Sequence, residues 1–443
     1  MPYRREGDDY VHHQPKSGNG RAMQPSRASS STETSMPPQY TWLEGLWMAI
    51  VSISYLLGYG IQISIIVEKY SLGDDRPPNC GLYIFFFLLP HIMAGLKNLQ
   101  YHYREAMEED GEDSSLGWII NIVFLPFSPL IRFVRAWRFG MGEKDNWEDG
   151  IRYVDEMVTV GVLRLFEVFL GDGPTLCLLL RDDVWGRSAD WSETINGPQN
   201  QVRCGPQCSL QPQNPIQFWT VFRMIFLLSK MSQCVTFYIV IVKRLQRLQH
   251  PEHFRNQRNT SSRQGRVNLF ATLILYTAHF FFIGSRVIGY SMVDTAWGGW
   301  VYLIVGAHWL LNTAWHLITL LNSNGITAAR SVSSLIMGGV WLITLTNEQG
   351  GRQLGRFILY YMLAFFESAI CGYLWNIAMA GSGDFFAVKA PWFLLVIYMC
   401  GLLAHIVYYA LCHPGNAAIT KQGLLCCSGD RRDSIDSDEE DKL

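Results

Sequence analysis

Long apolar stretches that alternate with polar loops constrain this chain of 443 residues more than any other feature. A helix needs about 20 apolar residues to cross a hydrocarbon core that is about 30 Å thick. Because only helices and closed barrels satisfy their backbone within lipid, the pattern predicts a polytopic all-α membrane protein. Eight stretches are long enough to cross, and they lie at about residues 41–67, 81–100, 158–180, 216–242, 267–289, 298–321, 357–380 and 391–412.

Two further apolar stretches, residues 116–131 and 331–346, are each about 16 residues long. A helix of that length spans about 24 Å, which is less than the thickness of the hydrocarbon core. Pro126 interrupts the first stretch, and Gly338 loosens the second. We therefore predict two short re-entrant or interfacial helices in addition to the eight transmembrane helices.

The lysines and arginines of the connecting loops indicate the orientation of the spans. The loop 243–266 contains seven of these cations against one acid, Glu252, whereas the loop 290–297 contains none. We therefore place the basic loop 243–266 in the cytosol, which puts both termini in the cytosol when eight spans are counted. Asn259 of the sequon then lies in the cytosol, and we expect it to carry no glycan.

The order of the elements repeats along the chain. Each half consists of span, span, short segment, span and span, so that residues 41–242 match residues 267–412. The third span of each half contains a phenylalanine followed by a glutamate, at Glu167 and Glu367. Because each half crosses four times, the pattern predicts two pseudo-symmetric parallel repeats.

The two ends of the chain differ in composition from the rest. Residues 1–40 are rich in Ser, Pro, Gly and Gln and cannot bury a core, which predicts a disordered cytosolic tail. Residues 413–443 form a second polar tail, which we also expect in the cytosol, and it ends in an acidic run.

Charged residues make up only 17% of the chain, below the roughly 25% of soluble domains. A charge at the bilayer centre costs at least ~2.5–3.5 kcal/mol, so charges within spans need a partner, water or an interface. We expect the outermost two, Glu44 and Arg286, to extend their charged ends toward water. Apart from Lys97 near the end of the second span, the predicted spans contain four acids and four bases, which are Glu44, Arg164, Glu167, Asp172, Arg223, Lys230, Arg286 and Glu367.

These charges allow two interpretations. They either form buried ion pairs that join the two halves, or they line a hydrated track for a molecule that cannot cross lipid alone. No motif for nucleotide hydrolysis, nucleophilic catalysis or clustered metal binding occurs in the sequence, so we predict no enzyme activity, cofactor or metal. The net charge of −2 gives no reason to expect nucleic acid as a partner.

The C-terminal tail contains a candidate protease site. Asp433 and Asp436 precede Ser437 in the pattern Asp-x-x-Asp followed by a small residue, which executioner caspases cut in exposed, flexible chains. Cleavage after Asp436 removes seven residues, of which five are charged, so we expect it to release an electrostatic contact with the basic loop 243–266. Phosphate on Ser434 or Ser437 would flank this bond, and we expect it to slow cleavage.

Two pairs of cysteines are candidate sites of covalent modification. Cys204 and Cys208 lie in a polar loop that we place outside the cell, where a disulfide between them is a candidate. Cys426 and Cys427 follow the last span and are candidates for S-palmitoylation, with two unmodified thiols as the alternative.

Four stretches resemble the XK-related family. LRLFEVFLGDGPTL at 163–176 resembles the family's LRLFE-x-FLESAPQL helix, and RFILYYMLAFFESAICGYLW at 356–375 is similar to its YYM-x-x-x-x-E-N-A helix. FLPFSPLIRF at 124–133 resembles its short segment LQLGPLLR, and the last span ends in His413-Pro414 as in family members. The resemblance covers roughly residues 41–416.

This resemblance implies eight spans, two re-entrant helices and two pseudo-symmetric repeats. It further implies passive, non-selective phospholipid scrambling at the plasma membrane, where scrambling members expose phosphatidylserine after a caspase removes a tail. Carried over by position, Glu167 and Glu367 match the family's acidic residues, and Pro174 matches its Ala-Pro. The implied partners are membrane phospholipids, a caspase and, as a candidate, a single-span membrane protein.

The sequence departs from the family pattern at several acids. The first family helix carries two acids spaced by four, and Gly58 and Gln62 stand at those places. Gly171 replaces the second acid of the FLES motif, with Asp172 beside it, and Thr175 replaces the following glutamine. Some members are thought to act as docking partners, so an adaptor for a cytosolic lipid-transfer protein stays open, as does an ion-coupled solute carrier. The leading hypothesis is a scramblase whose lipid pathway consists of Arg164, Glu167, Asp172, Arg223, Lys230 and Glu367.

Overall fold

All regular structure in the described part of the chain is helical, and seven helices are long and apolar enough to cross a membrane. The prediction of an all-α multi-pass membrane protein is therefore confirmed. The count of eight spans, the re-entrant helices and the repeat boundaries stay predictions. The computed structural model describes residues 42–71, 80–108, 115–141, 147–185, 218–249, 269–324, 328–344, 354–380 and 385–412.

The described residues of the first half form seven α-helices, and two π-helical turns continue α5 and α6. The helices are α1 Trp42–Ser71, α2 Cys80–Glu108, α3 Ser115–Val123, α4 Ser128–Gly140, α5 Trp147–Glu167, α6 Gly173–Leu179 and α7 Phe218–Gln249. A 3-10 turn, Leu125–Phe127, separates α3 from α4. The π turn Val168–Asp172 joins α5 to α6, and a second π turn, Leu180–Trp185, follows α6.

In the part of the second half that the structure describes there are five α-helices, and a π turn, Tyr408–Cys412, continues the last. They are α8 Leu269–Trp297, α9 Trp300–Asn324, α10 Ala328–Ile343, α11 Leu354–Ala378 and α12 Phe385–Val407. Helix α8 contacts α7 in the first half and α9, α11 and α12 in the second. Because it packs on both sides, α8 lies between the two halves.

The third predicted span, residues 158–180, lies within an unbroken helical run over residues 147–185. This run is not among the seven apolar helices, since Arg164, Glu167 and Asp172 give it too many charges. It packs against α2, α4, α7 and α8, and most of its side chains are buried. The surrounding helices therefore shield the most charged membrane segment of the first half from lipid.

The first short segment bends sharply, as its prolines lead one to expect. Helices α3 and α4 meet at 89° around Phe124, where Pro126 in the 3-10 turn cannot donate a backbone hydrogen bond. Tyr55 on α1 donates to the Pro126 carbonyl at 2.8 Å, and the Ser128 hydroxyl donates to the Leu125 carbonyl at 2.6 Å. These bonds satisfy the carbonyls of Leu125 and Pro126 at the break.

Polar contacts at one end of the molecule join the two halves. Arg181, in the π turn after α6, forms an ion pair with Asp294 of α8 at 3.0 Å. The indole of Trp185 donates to the Ser291 hydroxyl of α8 at 2.9 Å and stacks edge-on against Trp375 of α11. The helical run at 147–185 therefore contributes both to the charged interior of the first half and to the contact between halves.

Candidate functional site

A lysine on α7 is the centre of a charge cluster in the first half whose three charged members are all buried. Lys230, which is 1% exposed, forms ion pairs with Glu167 and, at 2.9 Å, with Asp172. Gln62 on α1 donates a hydrogen bond to the other carboxylate oxygen of Asp172. We name this group of four residues, Gln62, Glu167, Asp172 and Lys230, the Lys230 centre; it joins α1, α7 and the π turn after α5.

The π turn explains how two acids five residues apart reach one lysine. In an α-helix, residues five apart point in different directions, whereas a π turn closes on the fifth residue and brings Glu167 and Asp172 to one side. Gly171 within this turn allows a close approach of α2. A Cβ at that position would lie 2.9 Å from Pro90 Cγ and 3.0 Å from the Phe86 carbonyl oxygen.

The two α1 positions that lack the family's acids face the Lys230 centre. Gln62 contacts Asp172, and a Cβ added to Gly58 would lie 2.7 Å from Cε and 2.8 Å from Cδ of Lys230. Gly58 therefore provides the space that the Lys230 side chain occupies. Since α1 contributes no charge here, Lys230 and Arg164 balance the two acids.

Polar contacts continue along α1 on both sides of this centre. The Val51 carbonyl accepts a hydrogen bond from Arg164 Nη1 at 3.1 Å, and Glu68 forms an ion pair with Arg223. Val51 and Glu68 are 17 positions apart, which corresponds to about 26 Å along a helix. This distance approaches the thickness of a hydrocarbon core. We name the charged and amide side chains on α1 and beside it the polar ladder: Gln62, Glu68, Arg164, Glu167, Asp172, Arg223 and Lys230.

The second half has a polar centre of its own around Arg286, which is 2% exposed. Its guanidinium contacts Glu367 of α11 at 2.6 Å and donates to the Leu342 carbonyl of α10 at 3.1 Å. Tyr290 donates to Glu367 at 2.9 Å, and His308 of α9 lies 2.7 Å from the same carboxylate. We name the side chains of Arg286, Tyr290, His308 and Glu367 the Arg286 centre. It connects α8, α9 and α11, and Arg286 also satisfies a backbone carbonyl at the end of the short helix α10.

The structure separates one predicted pathway residue from the other five. Glu167, Asp172, Lys230, Arg164 and Arg223 lie along the polar ladder. Glu367 lies instead in the Arg286 centre. The expectation that Arg286 extends toward water is wrong, because Glu367 and two neighbouring helices enclose it. The ion pairs of Lys230 and Arg286 lie within their own halves, so they do not join the halves.

A third cluster, which the sequence analysis missed, lies around Arg132 of α4. This side chain is 1% exposed and contacts Glu105 at 2.5 Å, Glu156 at 3.0 Å and the Asn98 side-chain oxygen at 2.7 Å. The predicted short segment ends at residue 131, one position before Arg132. Its position directly after an apolar run was the signal that could have found it.

Several predicted sites lie outside the described residues, and the side chain of Glu44 is also not described. In the described part of the chain, no group of three or more His, Cys, Asp or Glu side chains could hold a metal ion. The undescribed sites are the cysteine pair Cys204 and Cys208, the candidate palmitoylation sites Cys426 and Cys427, the sequon at Asn259, the cleavage motif Asp433 and Asp436, and the candidate phosphorylation sites Ser434 and Ser437.

A comparison with protein-family models gives a match over most of the chain. The model described as XK-related protein matches residues 46–414. This range includes the polar ladder, the Arg286 centre and the Arg132 cluster. The four stretches that carry the sequence resemblance also lie within it.

Proposed function

The chain belongs to the XK-related family, and from this premise we propose that it is a passive phospholipid scramblase of the plasma membrane. In this proposal, lipid headgroups move along the polar ladder while their acyl chains stay in the bilayer. The observation that carries the proposal is the length of the ladder, about 26 Å along α1, in a helix bundle that crosses the membrane. Exchange of lipids in both directions then exposes phosphatidylserine at the cell surface.

The physical task is to carry a charged headgroup through hydrocarbon, where its charges would otherwise have no partners. The ladder offers acids and bases in turn, from Arg223 through Asp172, Lys230 and Glu167 to Arg164. Each side chain can replace part of the water that the headgroup gives up. The process moves lipids down their gradient, so it needs no covalent step and no nucleotide.

Helix α1 contributes Gln62 and Glu68 to the ladder and covers the ladder residues of α5, the π turn and α7 in this structure. Arg164, Asp172 and Lys230 are at most 1% exposed, and α1 contacts them through Val51, Gly58 and Gln62. A headgroup therefore reaches the ladder only after α1 separates from α5 and α7. We propose that this separation distinguishes an active from an inactive state.

Reconstitution tests the proposed activity. Purified full-length protein and a form that ends at Asp436 are placed in liposomes with a fluorescent phospholipid, and a membrane-impermeant quencher is added outside. Scrambling by either form bleaches nearly all of the fluorescence, whereas empty liposomes lose only the outer half. If both forms behave like empty liposomes, the scramblase proposal is wrong.

Activation by a caspase is the second part of the proposal, with both termini in the cytosol. We expect Asp436→Ala to block phosphatidylserine exposure during caspase activation, because a caspase requires aspartate before the scissile bond. Asp438→Ala removes a nearby acid of the same tail outside the motif and is the matched control. Equal exposure in cells with wild type and Asp436→Ala would reject the cleavage.

An adaptor that docks a cytosolic lipid-transfer protein is the second candidate. The observation that favours it is that Gly58 and Gln62, the α1 residues that face the Lys230 centre, are uncharged. The resemblance leads one to expect two acids at these positions in members that scramble. Capture of a lipid-transfer protein, together with inactivity of both reconstituted forms, would favour the adaptor. Solute uptake without lipid movement would favour the third alternative, an ion-coupled carrier.

A further inference from the structure

Arg164 stands out among the charges of the polar ladder because its guanidinium is almost without partners. The residue is 0% exposed. Its Nη1 donates to the Val51 carbonyl at 3.1 Å, but its Nε and Nη2 have no hydrogen-bond partner among the described residues. Leaving buried donors of a charged group unsatisfied is costly, so such donors point to a missing acceptor.

The other buried arginines in the described part of the chain each form an ion pair. Arg132 pairs with Glu105 and Glu156, Arg223 with Glu68, and Arg286 with Glu367. Glu167 lies one turn from Arg164 on the same helix, but its carboxylate pairs with Lys230. Asp172 also pairs with Lys230. The lysine thus engages both nearby acids, and no carboxylate among the described residues forms an ion pair with Arg164.

The two unpartnered nitrogens of Arg164 belong to one edge of the guanidinium. Nε and Nη2 point their N–H bonds in the same direction, and this edge makes two parallel hydrogen bonds to a carboxylate or a phosphate. A phosphodiester offers two oxygens and one negative charge, which match both the geometry and the charge of that edge. A sugar hydroxyl offers neither the charge nor the paired acceptors.

We propose that Arg164 binds the phosphate of a phospholipid headgroup through its Nε and Nη2 edge. This proposal rests on the proposed function and names the chemical class of its substrate. Val51 of α1 contacts the same guanidinium, so the phosphate reaches Arg164 after α1 moves away. The ladder then has one position that recognises what all phospholipids share, and it accepts different headgroup alcohols.

Transport of two lipids in the same liposomes tests this role, with Arg164 intact or substituted in the form that ends at Asp436. One lipid is a fluorescent phosphatidylcholine, and the other is a fluorescent glucosylceramide, which has no phosphate. We expect Arg164→Gln to slow phosphatidylcholine exchange roughly tenfold to hundredfold, the range of one charge-assisted contact, and to leave glucosylceramide exchange unchanged. Arg164→Lys keeps the charge without the paired edge and should give an intermediate rate. Arg138→Gln, which removes an exposed charge from α4, should change neither rate.

Each outcome has a distinct meaning. If Arg164→Gln slows both lipids equally, Arg164 supports the fold or the path and does not recognise phosphate. If the form ending at Asp436 with Arg164 intact moves neither lipid, the proposed function itself fails. A binding measurement on the full-length protein covers the case in which Arg164→Gln does not fold. Short-chain phosphatidylcholine should protect wild type from heat more than an uncharged glucoside of equal chain length does, and this difference should shrink in Arg164→Lys. Equal protection by both additives would overturn the proposal.

Discussion

Replacing Lys230 with methionine is the sharpest test of how the first half is stabilised. Lys230 is the cation that two buried acids share, and Glu167 and Asp172 are as buried as the lysine. Methionine has a similar length and is apolar, so the change removes the charge without opening a large cavity. It leaves two carboxylates in the interior with only Arg164 nearby.

The expected loss of stability is large because the pair is buried. Removing one partner of a buried ion pair costs about 3–5 kcal/mol, since the other charge stays without compensation. The ratio of folded to unfolded protein should therefore fall about a hundredfold to several thousandfold. A second change, Asp172→Asn, removes one acid and keeps an oxygen that can accept from Gln62. In the double variant, Glu167 and Arg164 balance each other one turn apart, so we expect most of the stability to return.

The measurement is the fraction of purified protein that stays monodisperse in detergent after heating. Lys97→Met on α2 is the matched control, because Lys97 forms no ion pair with a described residue; its ammonium donates to Gln100 and lies 5.0 Å from the centre of the Tyr101 ring. Loss of such a partly exposed cation–π contact costs about 0.5–1 kcal/mol, well below the loss expected for Lys230→Met. The reasoning is refuted if Lys230→Met survives heating as well as the control does. It is also refuted if the added Asp172→Asn brings no recovery.

Two further substitutions test the packing with the same heating assay. Gly58→Ala places a methyl group against the Lys230 side chain, which its ion pairs hold in place, and should destabilise the protein by about 1–3 kcal/mol. Gly60→Ala adds a methyl group in open space and should be neutral or mildly stabilising. Equal effects of the two substitutions would contradict the close approach of Lys230 to Gly58. Arg132→Gln should cost about 2 kcal/mol or more because its acids lose their cation, and Arg138→Gln on the exposed face of α4 should cost much less; the reverse order would reject the Arg132 cluster as a support of the fold.

The sequence predicts the helices of this protein well because lipid imposes a length and a hydrophobicity on each span. Seven of the eight predicted spans correspond to apolar helices of the structure. The third span is predicted from its apolar length, in spite of its three charges. Its shielded position explains how Arg164 and Asp172 are accommodated, and hydropathy alone cannot report such shielding.

The candidate site was predictable only in part. Charged residue types within apolar runs identified Glu167, Asp172 and Lys230, which the structure brings together. Their pairing was not predictable, because a regular helix period does not place Glu167 and Asp172 on one side and the π turn does. The separation of Glu367 from the polar ladder was also not predictable. It follows from the ion pair with Arg286, which lies on another helix 81 positions earlier in the chain.

Labelling with a headgroup-reactive lipid tests most directly whether lipids travel along the polar ladder. A phospholipid with a photoreactive group on its headgroup is mixed into liposomes that contain the form ending at Asp436, and the labelled peptides are mapped after illumination. We expect labels on residues 163–172 and on α7 around Lys230, at mid-membrane depth. Labels confined to loops and helix ends, with none along the ladder in a form that scrambles, would contradict the proposed pathway.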